Sequence, residues 1–114
     1  MEKEDLKLRT KKFSLDIIYL YKSLPKTAEF QTIGRQLLKS GTSVGANTRS
    51  AYRGRSKKEF IAKLGVVIEE ADESGFWLEL LEELSINNKE TLLKLRNEAN
   101  ELTAIFTSIV KNNK

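Results

Sequence analysis

The chain has 114 residues, enough for one domain with a modest core; 39% of them are apolar and 32% are charged. It contains no cysteine and no histidine, which excludes disulfide frameworks, thiolate chemistry and the usual zinc and haem ligand sets. The net charge is only +4, and the apolar runs are far shorter than the roughly 20 residues that span a bilayer. We therefore expect a cytoplasmic protein that does not enter a membrane, with residues 1–114 forming a single domain.

The first periodic segment predicts a helix from about residue 4 to residue 24. Pro25 ends it, because proline pushes the residue before it out of the helical region. The apolar positions recur at spacings of three and four and share one face: Phe13, Ile17, Leu20 and Leu24.

A second helix is predicted from a cap at Thr27 to about Arg53. Its inward positions shrink around the middle, where Gly41 and Gly45 lie four residues apart on one side. Glycine costs up to about 1 kcal/mol relative to alanine inside a helix, so two of them need a structural reason. We expect the backbone of a neighbouring helix to approach closely there.

Gly54 is predicted to end the second helix in the left-handed conformation that favours glycine. Ser56 and Glu59 then form an S-x-x-E capping box that opens a third helix, which runs to about Leu84. Its inward face is mostly apolar: Phe60, Leu64, Val67, Ile68, Ala71, Gly75 and Leu78.

Asn87 and Glu90 resemble another capping box, which opens a fourth helix. Residues 111–114 are expected to fray. Because short connections make successive helices antiparallel, the sequence predicts an all-α fold, an antiparallel up-down four-helix bundle. The stripe of the fourth helix alternates spacings of three and four: Leu92, Leu95, Ala99, Leu102, Phe106 and Ile109.

No catalytic centre, metal site or cofactor is predicted. The Glu-x-x-His pairs of di-metal bundles and the base of a serine nucleophile both need histidine. A glycine-rich phosphate loop is not indicated, because the segment from Gly41 to Gly45 lacks a G-K-[ST] ending. One acidic cluster could bind a hard cation in principle, but we interpret it as solvated or paired with basic residues: Glu69, Glu70, Asp72 and Glu73.

Two further sets of residues are predicted to have structural roles. A buried polar network is expected where Glu73 of the third helix meets the second helix, because a buried carboxylate needs donors or a cation. The members on the second helix are Arg35, Ser40, Ser43 and Asn47. The end of the third helix is apolar nearly all round and is predicted to contact other copies of the chain through Trp77, Leu80, Leu81 and Leu84.

Positive charge is concentrated in one part of the chain. Residues 31–63 carry eight Lys or Arg against one acid, whereas residues 64–114 carry five against ten. Such a cluster can neutralise nucleic-acid phosphates, and Tyr52 could stack on a base. Alternatively, these side chains only solvate a corner, or pair with the acidic third helix of a neighbouring subunit. The candidate nucleic-acid-binding residues are Lys39, Arg49, Arg53, Arg55, Lys57 and Lys58.

The same region carries a family resemblance. Residues 36–47 (QLLKSGTSVGAN), 53–61 (RGRSKKEFI) and 69–81 (EEADESGFWLELL) resemble the bacterial four-helix bundle family of 23S rRNA intervening-sequence proteins. The resemblance implies a homopentameric barrel of antiparallel four-helix subunits. It also implies a relationship to the accessory protein of diversity-generating retroelements, which binds nucleic acid through a basic surface and contacts a reverse transcriptase.

The sequence thus predicts a non-enzymatic protein that forms a homo-oligomer, a ring of five. It is expected to bind RNA or DNA through its basic surface without strong sequence specificity. The alternative function is a protein-interaction adaptor or scaffold for a polymerase such as a reverse transcriptase, to which nucleic-acid binding is incidental.

Overall fold

The structure is a computed structural model that describes residues 2–84 and 87–114. It contains four helices in chain order: α1 (Lys3–Ser23), α2 (Ala28–Tyr52), α3 (Lys57–Leu84) and α4 (Lys89–Asn112). Each helix packs on the next, and α1 also touches α4 more lightly, giving an antiparallel bundle of 44 × 19 × 19 Å. The described residues contain no strand, and none of their helices combines the length and apolarity needed to cross a membrane. The predicted fold class is confirmed.

All four helices contribute to one core. The predicted apolar stripes are buried almost throughout, because spacings of three and four bring their members to one side of each helix. The stripe of α1 extends about two turns farther towards the N-terminus than predicted, through Thr10 to Leu6, and both residues are fully buried. The largest fully buried side chains are Phe13, Phe106, Leu6, Ile17, Leu37, Leu64, Leu78, Leu81, Leu92 and Leu102.

The helix ends follow the predictions only in part. Before Pro25, Leu24 is extended and α1 ends at Ser23, as expected. At the start of α4 the predicted box is wrong by one residue, because Asn88, in the left-handed region at φ 64°, immediately precedes the helix. At its far end α4 continues to Asn112, so the helix includes two of the four residues that were expected to fray.

The glycines of α2 lie against α1. A Cβ atom on Gly41 would stand 2.8 Å from both γ carbons of Ile17, and one on Gly45 would stand 2.7 Å from the hydroxyl oxygen of Ser14. Ser14 Oγ donates a hydrogen bond to the Gly41 carbonyl at 2.8 Å and accepts one from the Gly45 N–H at 3.2 Å. The predicted close approach is therefore confirmed, and the neighbouring helix is α1.

Replacing Gly41 by alanine should destabilise the protein by about 1–3 kcal/mol, because the stiff, branched Ile17 side chain has to move. The matched control is Gly65→Ala in α3, where an added Cβ meets nothing within 4 Å. That substitution should stabilise the helix by up to about 1 kcal/mol, since alanine has the higher helix propensity. Urea unfolding at one protein concentration measures both, and equal stability of the two variants would contradict the close packing.

Candidate nucleic-acid interface

The turn between α2 and α3 is built from short local hydrogen bonds. The last turn of α2 tightens, with Arg53 N–H donating to the Ser50 carbonyl at 3.1 Å and Gly54 N–H to the Ala51 carbonyl at 3.0 Å. Among the described residues no glycine has a positive φ, so the predicted left-handed cap at Gly54 is wrong. A tight i to i+3 ending satisfies these two N–H groups without that conformation.

The start of α3 confirms half of its predicted capping box. The Glu59 N–H donates to Ser56 Oγ at 3.1 Å, as in the predicted box. The return bond is shifted by one residue, because the Glu59 carboxylate accepts from the N–H of Arg55 at 3.5 Å. Two ends of adjacent helices are thereby held at a fixed corner.

Four basic side chains project from this corner, which we call the basic corner: Arg53, Arg55, Lys57 and Lys58. All four are exposed. None of them forms an ion pair with a carboxylate of residues 2–84 or 87–114. Four cations within six consecutive residues therefore present their charge to solvent.

The sequence did not predict that the end of α4 reaches this corner. Ile61, Asn113 and Lys114 line one shallow depression together with Lys57 and Lys58. Lys114 thus adds a fifth cation. The apolar stripe of the fourth helix predicted a helix to about residue 109, but it did not show that the residues after it would lie beside Lys57 and Lys58.

The other two predicted binding residues, Lys39 and Arg49, lie on the outer side of α2. With Arg35 they form a row of exposed cations at helical spacing, which we call the α2 stripe. Lys39 is roughly 21 Å along the helix axis from Arg53, at about 1.5 Å per residue, so it does not belong to the corner. Between Lys39 and Arg49, the positions on this side of α2 carry the small side chains Thr42 and Ala46.

Tyr52 is tied into the corner and is poorly placed for stacking on a base. Its ring packs against Phe60 of α3, with centroids 5.2 Å apart and planes tilted by 55°. The residue is half-buried, and this burial raises the pKa of its hydroxyl. The aromatic pair joins the end of α2 to the start of α3.

The predicted polar network is wrong in its central member. Glu73 is exposed, and Ser74, one residue and about 100° farther round α3, faces α2 instead. The hydroxyls of Ser74 and Ser40 are 2.9 Å apart and fully buried. Asn47 donates to the carbonyl of Ser43 within its own helix at 2.9 Å, and the predicted partner Arg35 is exposed on the α2 stripe.

Comparison with known proteins agrees with this architecture. The model of the family described as 23S rRNA-intervening sequence protein matches residues 2–108, nearly the whole chain. The chain belongs to this family. A solved structure, a protein with unknown function from the S23 ribosomal protein family of Bacteroides thetaiotaomicron VPI-5482, is similar at a TM-score of 0.87 and 34% identity. The similarity covers 97% of this chain and 99% of that one. No curated protein matches.

In this member of the 23S rRNA-intervening sequence protein family, the predicted assembly residues are divided between core and surface. Leu81 is fully buried in the bundle's own core, so it is not available to another copy. Leu84 is 48% exposed, and Trp77 and Leu80 are half-buried. Phe76, which the sequence analysis missed, is 51% exposed and packs edge-on against Trp77 with ring centroids 5.0 Å apart.

Phe76 belongs to an outward side of α3 that combines acidic and apolar side chains. We call it the α3 face: Glu69, Glu73, Phe76, Leu80 and Glu83. Between residues 64 and 84 the chain has seven acids and no Lys or Arg. No group of three or more potential metal ligands occurs in the described residues. Glu69, Glu73 and Glu83 are exposed and give this face negative charge.

A groove of about 590 Å³ separates α1 from α4. Its floor consists of side chains that the bundle already buries: Phe13, Leu20 and Leu95. On its rim, Arg9 bonds Glu98 at 2.6 Å and Lys12 bonds Asp16 at 2.7 Å. Since the floor is already buried by the bundle, the groove gives a small molecule little apolar area to cover.

One carboxyl group of the acidic cluster, that of Glu70, has a shifted pKa. Burial, together with the charge of Glu73, raises the pKa of Glu70, and the nearby Lys39 opposes the shift. A carboxyl group with a raised pKa binds its proton more tightly in the folded chain. Stability is therefore lost as pH rises through the folded-state pKa.

Substituting Glu70→Gln should raise the urea midpoint at pH 7, because it removes the partly buried charge. The gain should vanish near pH 3, below the ordinary glutamate pKa of about 4.3, where the wild-type carboxyl is protonated whether folded or unfolded. Glu83→Gln, which removes one charge from an exposed position of the same helix, is the control. A midpoint at pH 7 below that of wild type would contradict this interpretation of Glu70.

Proposed function

We propose that the protein is a non-enzymatic homo-oligomer that binds nucleic acid, RNA or DNA, through the basic corner. The observation that supports this proposal is the set of four exposed cations within residues 53–58, none of them ion-paired to a carboxylate in the described ranges. Lys114 of α4 extends the same surface. Because 23S rRNA occurs in the description of the family, RNA is the first nucleic acid to test. The compartment we propose is the cytoplasm.

The chemistry of the corner favours contact with phosphates over the reading of bases. Long, exposed lysine and arginine side chains neutralise phosphates and release counterions, which gives affinity without sequence preference. The aromatic residue nearest these cations, Tyr52, is packed against Phe60 and does not offer a free ring for stacking on a base. The acids that begin α1, Glu4 and Asp5, lie at the same end but on the helix diagonal to α3, and Glu4 bonds Lys7 at 3.4 Å.

The absence of enzymatic activity is proposed from the residue types. The chain has no histidine or cysteine to act as base or nucleophile. The buried hydroxyls of Thr10 and Thr48 donate to backbone carbonyls of their own helices at 2.8 and 2.7 Å. These groups serve the packing of the bundle.

Binding should fall steeply with salt. We expect the affinity for a labelled, mixed-sequence RNA duplex of about 20 base pairs to decrease linearly on a log–log plot, with a slope of about −0.9 per neutralised phosphate. The double variant Lys57→Ala/Lys58→Ala should reduce the steepness of that slope by about 2 per copy. Fluorescence anisotropy at several salt concentrations measures it.

The matched control is Lys22→Ala/Lys26→Ala, which removes two exposed lysines at the opposite end of the bundle. It should leave the slope unchanged. If wild-type protein does not bind the duplex at low salt, or if both double variants change the slope equally, binding by the corner is wrong.

Self-assembly is the second part of the proposal, with the ring of five implied by the family resemblance as the expected form. Exposed Phe76 and Leu84 favour it, because large apolar side chains gathered on one face are typical of an interface. Light scattering coupled to size-exclusion chromatography at micromolar concentration should give a mass several times the 13.0 kDa of one chain. A measured mass equal to that of one chain would contradict assembly. The duplex-binding assay would still test nucleic-acid binding separately.

One observation favours a second candidate function. The α3 face combines acidic side chains with Phe76, against which Trp77 packs, a composition that suits a basic protein partner. In that case the protein is an adaptor, for example for a reverse transcriptase, as the resemblance to the retroelement accessory protein implies. Nucleic-acid binding that is absent at low salt, together with a monomeric mass, would favour the adaptor.

A further inference from the structure

Two neighbouring helices carry opposite charges on their outer sides. The α2 stripe (Arg35, Lys39 and Arg49) has basic, small and uncharged side chains, and the α3 face (Glu69, Glu73, Phe76, Leu80 and Glu83) has acidic and apolar ones. Both rows follow spacings of three and four residues, so each forms a straight strip along its helix. The two strips are complementary in charge and in length, and in the single chain both are exposed apart from the half-buried Leu80.

We propose that the α3 face of one copy binds the α2 stripe of a second copy, head to tail. This inference rests on the self-assembly proposed above and identifies the surfaces that carry it. It also divides the predicted nucleic-acid residues, because Lys39 and Arg49 are then covered by a neighbouring copy while the basic corner stays exposed.

The hydrogen bond between Ser40 and Ser74 gives the register for this contact. Residues of antiparallel α2 and α3 whose numbers add to 114, as 40 and 74 do, lie at the same height in the bundle. In a ring whose axis runs along the bundle, symmetry preserves heights, so the same relation holds between α2 of one copy and α3 of the next.

Under this register the charges of the two strips come level with each other. Lys39 lies two residues from the height of Glu73, about 3 Å along the helix axis. Arg49 lies four residues from the height of Glu69, about 6 Å, which an arginine side chain can span. Arg35 and Glu83 are offset by the same four residues.

The basic corner falls outside the matched region. Arg53 is level with position 61, eight residues or about 12 Å from Glu69, the nearest acid of the α3 face. At that height the outer side of α3 has the small, uncharged Ala62. The acid before it, Glu59, accepts a hydrogen bond from the Arg55 amide of its own corner at 3.5 Å.

Apolar contacts accompany the charge pairing. Phe76 and Leu80 stand between the acids of the α3 face, and Thr42 and Ala46 leave room between the cations of the α2 stripe. Small side chains on one helix let the bulky ones of another approach, and aromatic residues are enriched at such interfaces. Because the contact uses two different faces of each copy, it is heterologous, and it gives a closed ring when its rotation closes; the ring of five is the form expected here.

A charge-reversal cycle tests the contact directly. Arg49→Glu alone and Glu69→Arg alone should each raise the concentration at which half of the protein is assembled by roughly tenfold or more, because each places like charges across the interface. The combined variant Arg49→Glu/Glu69→Arg should return that concentration to near the wild-type value. Light scattering over a dilution series gives the concentration, and circular dichroism melts confirm that each variant is folded.

The matched control is Arg53→Glu, one turn farther along α2. It should leave assembly unchanged and weaken binding of the RNA duplex. Arg49→Glu should instead weaken assembly and leave the duplex binding of each copy unchanged.

If the Arg49→Glu variant assembles like the wild type, or if the double reversal does not restore assembly, the proposed contact is wrong, although self-assembly through another face is still possible. Loss of assembly in Arg53→Glu would overturn the register. A monomeric wild-type protein would remove both this contact and the proposed assembly, and the duplex assay would still decide nucleic-acid binding.

Discussion

The close packing of α1 on the glycines of α2 constrains the rest of the bundle. The hydroxyl of Ser14 enters the α2 backbone between the Gly41 carbonyl and the Gly45 N–H, so neither helix can rotate or slide without losing those bonds. With α1 held tightly against α2, the seam between α1 and α4 stays looser and is bridged by Arg9, which bonds both Glu98 and Glu101. The groove between α1 and α4 is thus a consequence of where the small residues lie.

Packing of the core also decides where the charges end up. Because each helix buries one stripe, the opposite side of each must face solvent or another molecule. In α2 that side carries the cations, and in α3 it carries the acids together with Phe76. A single chain therefore presents two complementary strips and, at the α2–α3 turn, a basic corner that begins one turn beyond the α2 stripe. Family membership is consistent with this architecture, and the uses of the three surfaces are the proposals made above.

Most of the fold follows from local signals. The spacing of apolar residues gave the four helices, and Pro25 and the pair of Ser56 and Glu59 marked two of their boundaries correctly. Errors arose where one residue changes the outcome. Glu73 and Ser74 differ by about 100° around α3, and periodicity alone does not fix a helix rotation to that accuracy. Similarly, Leu81 belongs to an apolar segment, but only packing against the other helices shows that it lies in the core.

The sequence by itself determined three properties: the helical class, the lack of histidine and cysteine and of the chemistry that needs them, and the separation of positive charge from negative charge along the chain. These properties depend on composition and on neighbours within about four residues, which a linear pattern contains. Only the tertiary structure decided that Ser74 meets Ser40, that Lys114 joins the basic corner and that Arg35 points outward. Those facts depend on the rotation and height of one helix against another, which are set by side-chain contacts between residues far apart in the chain.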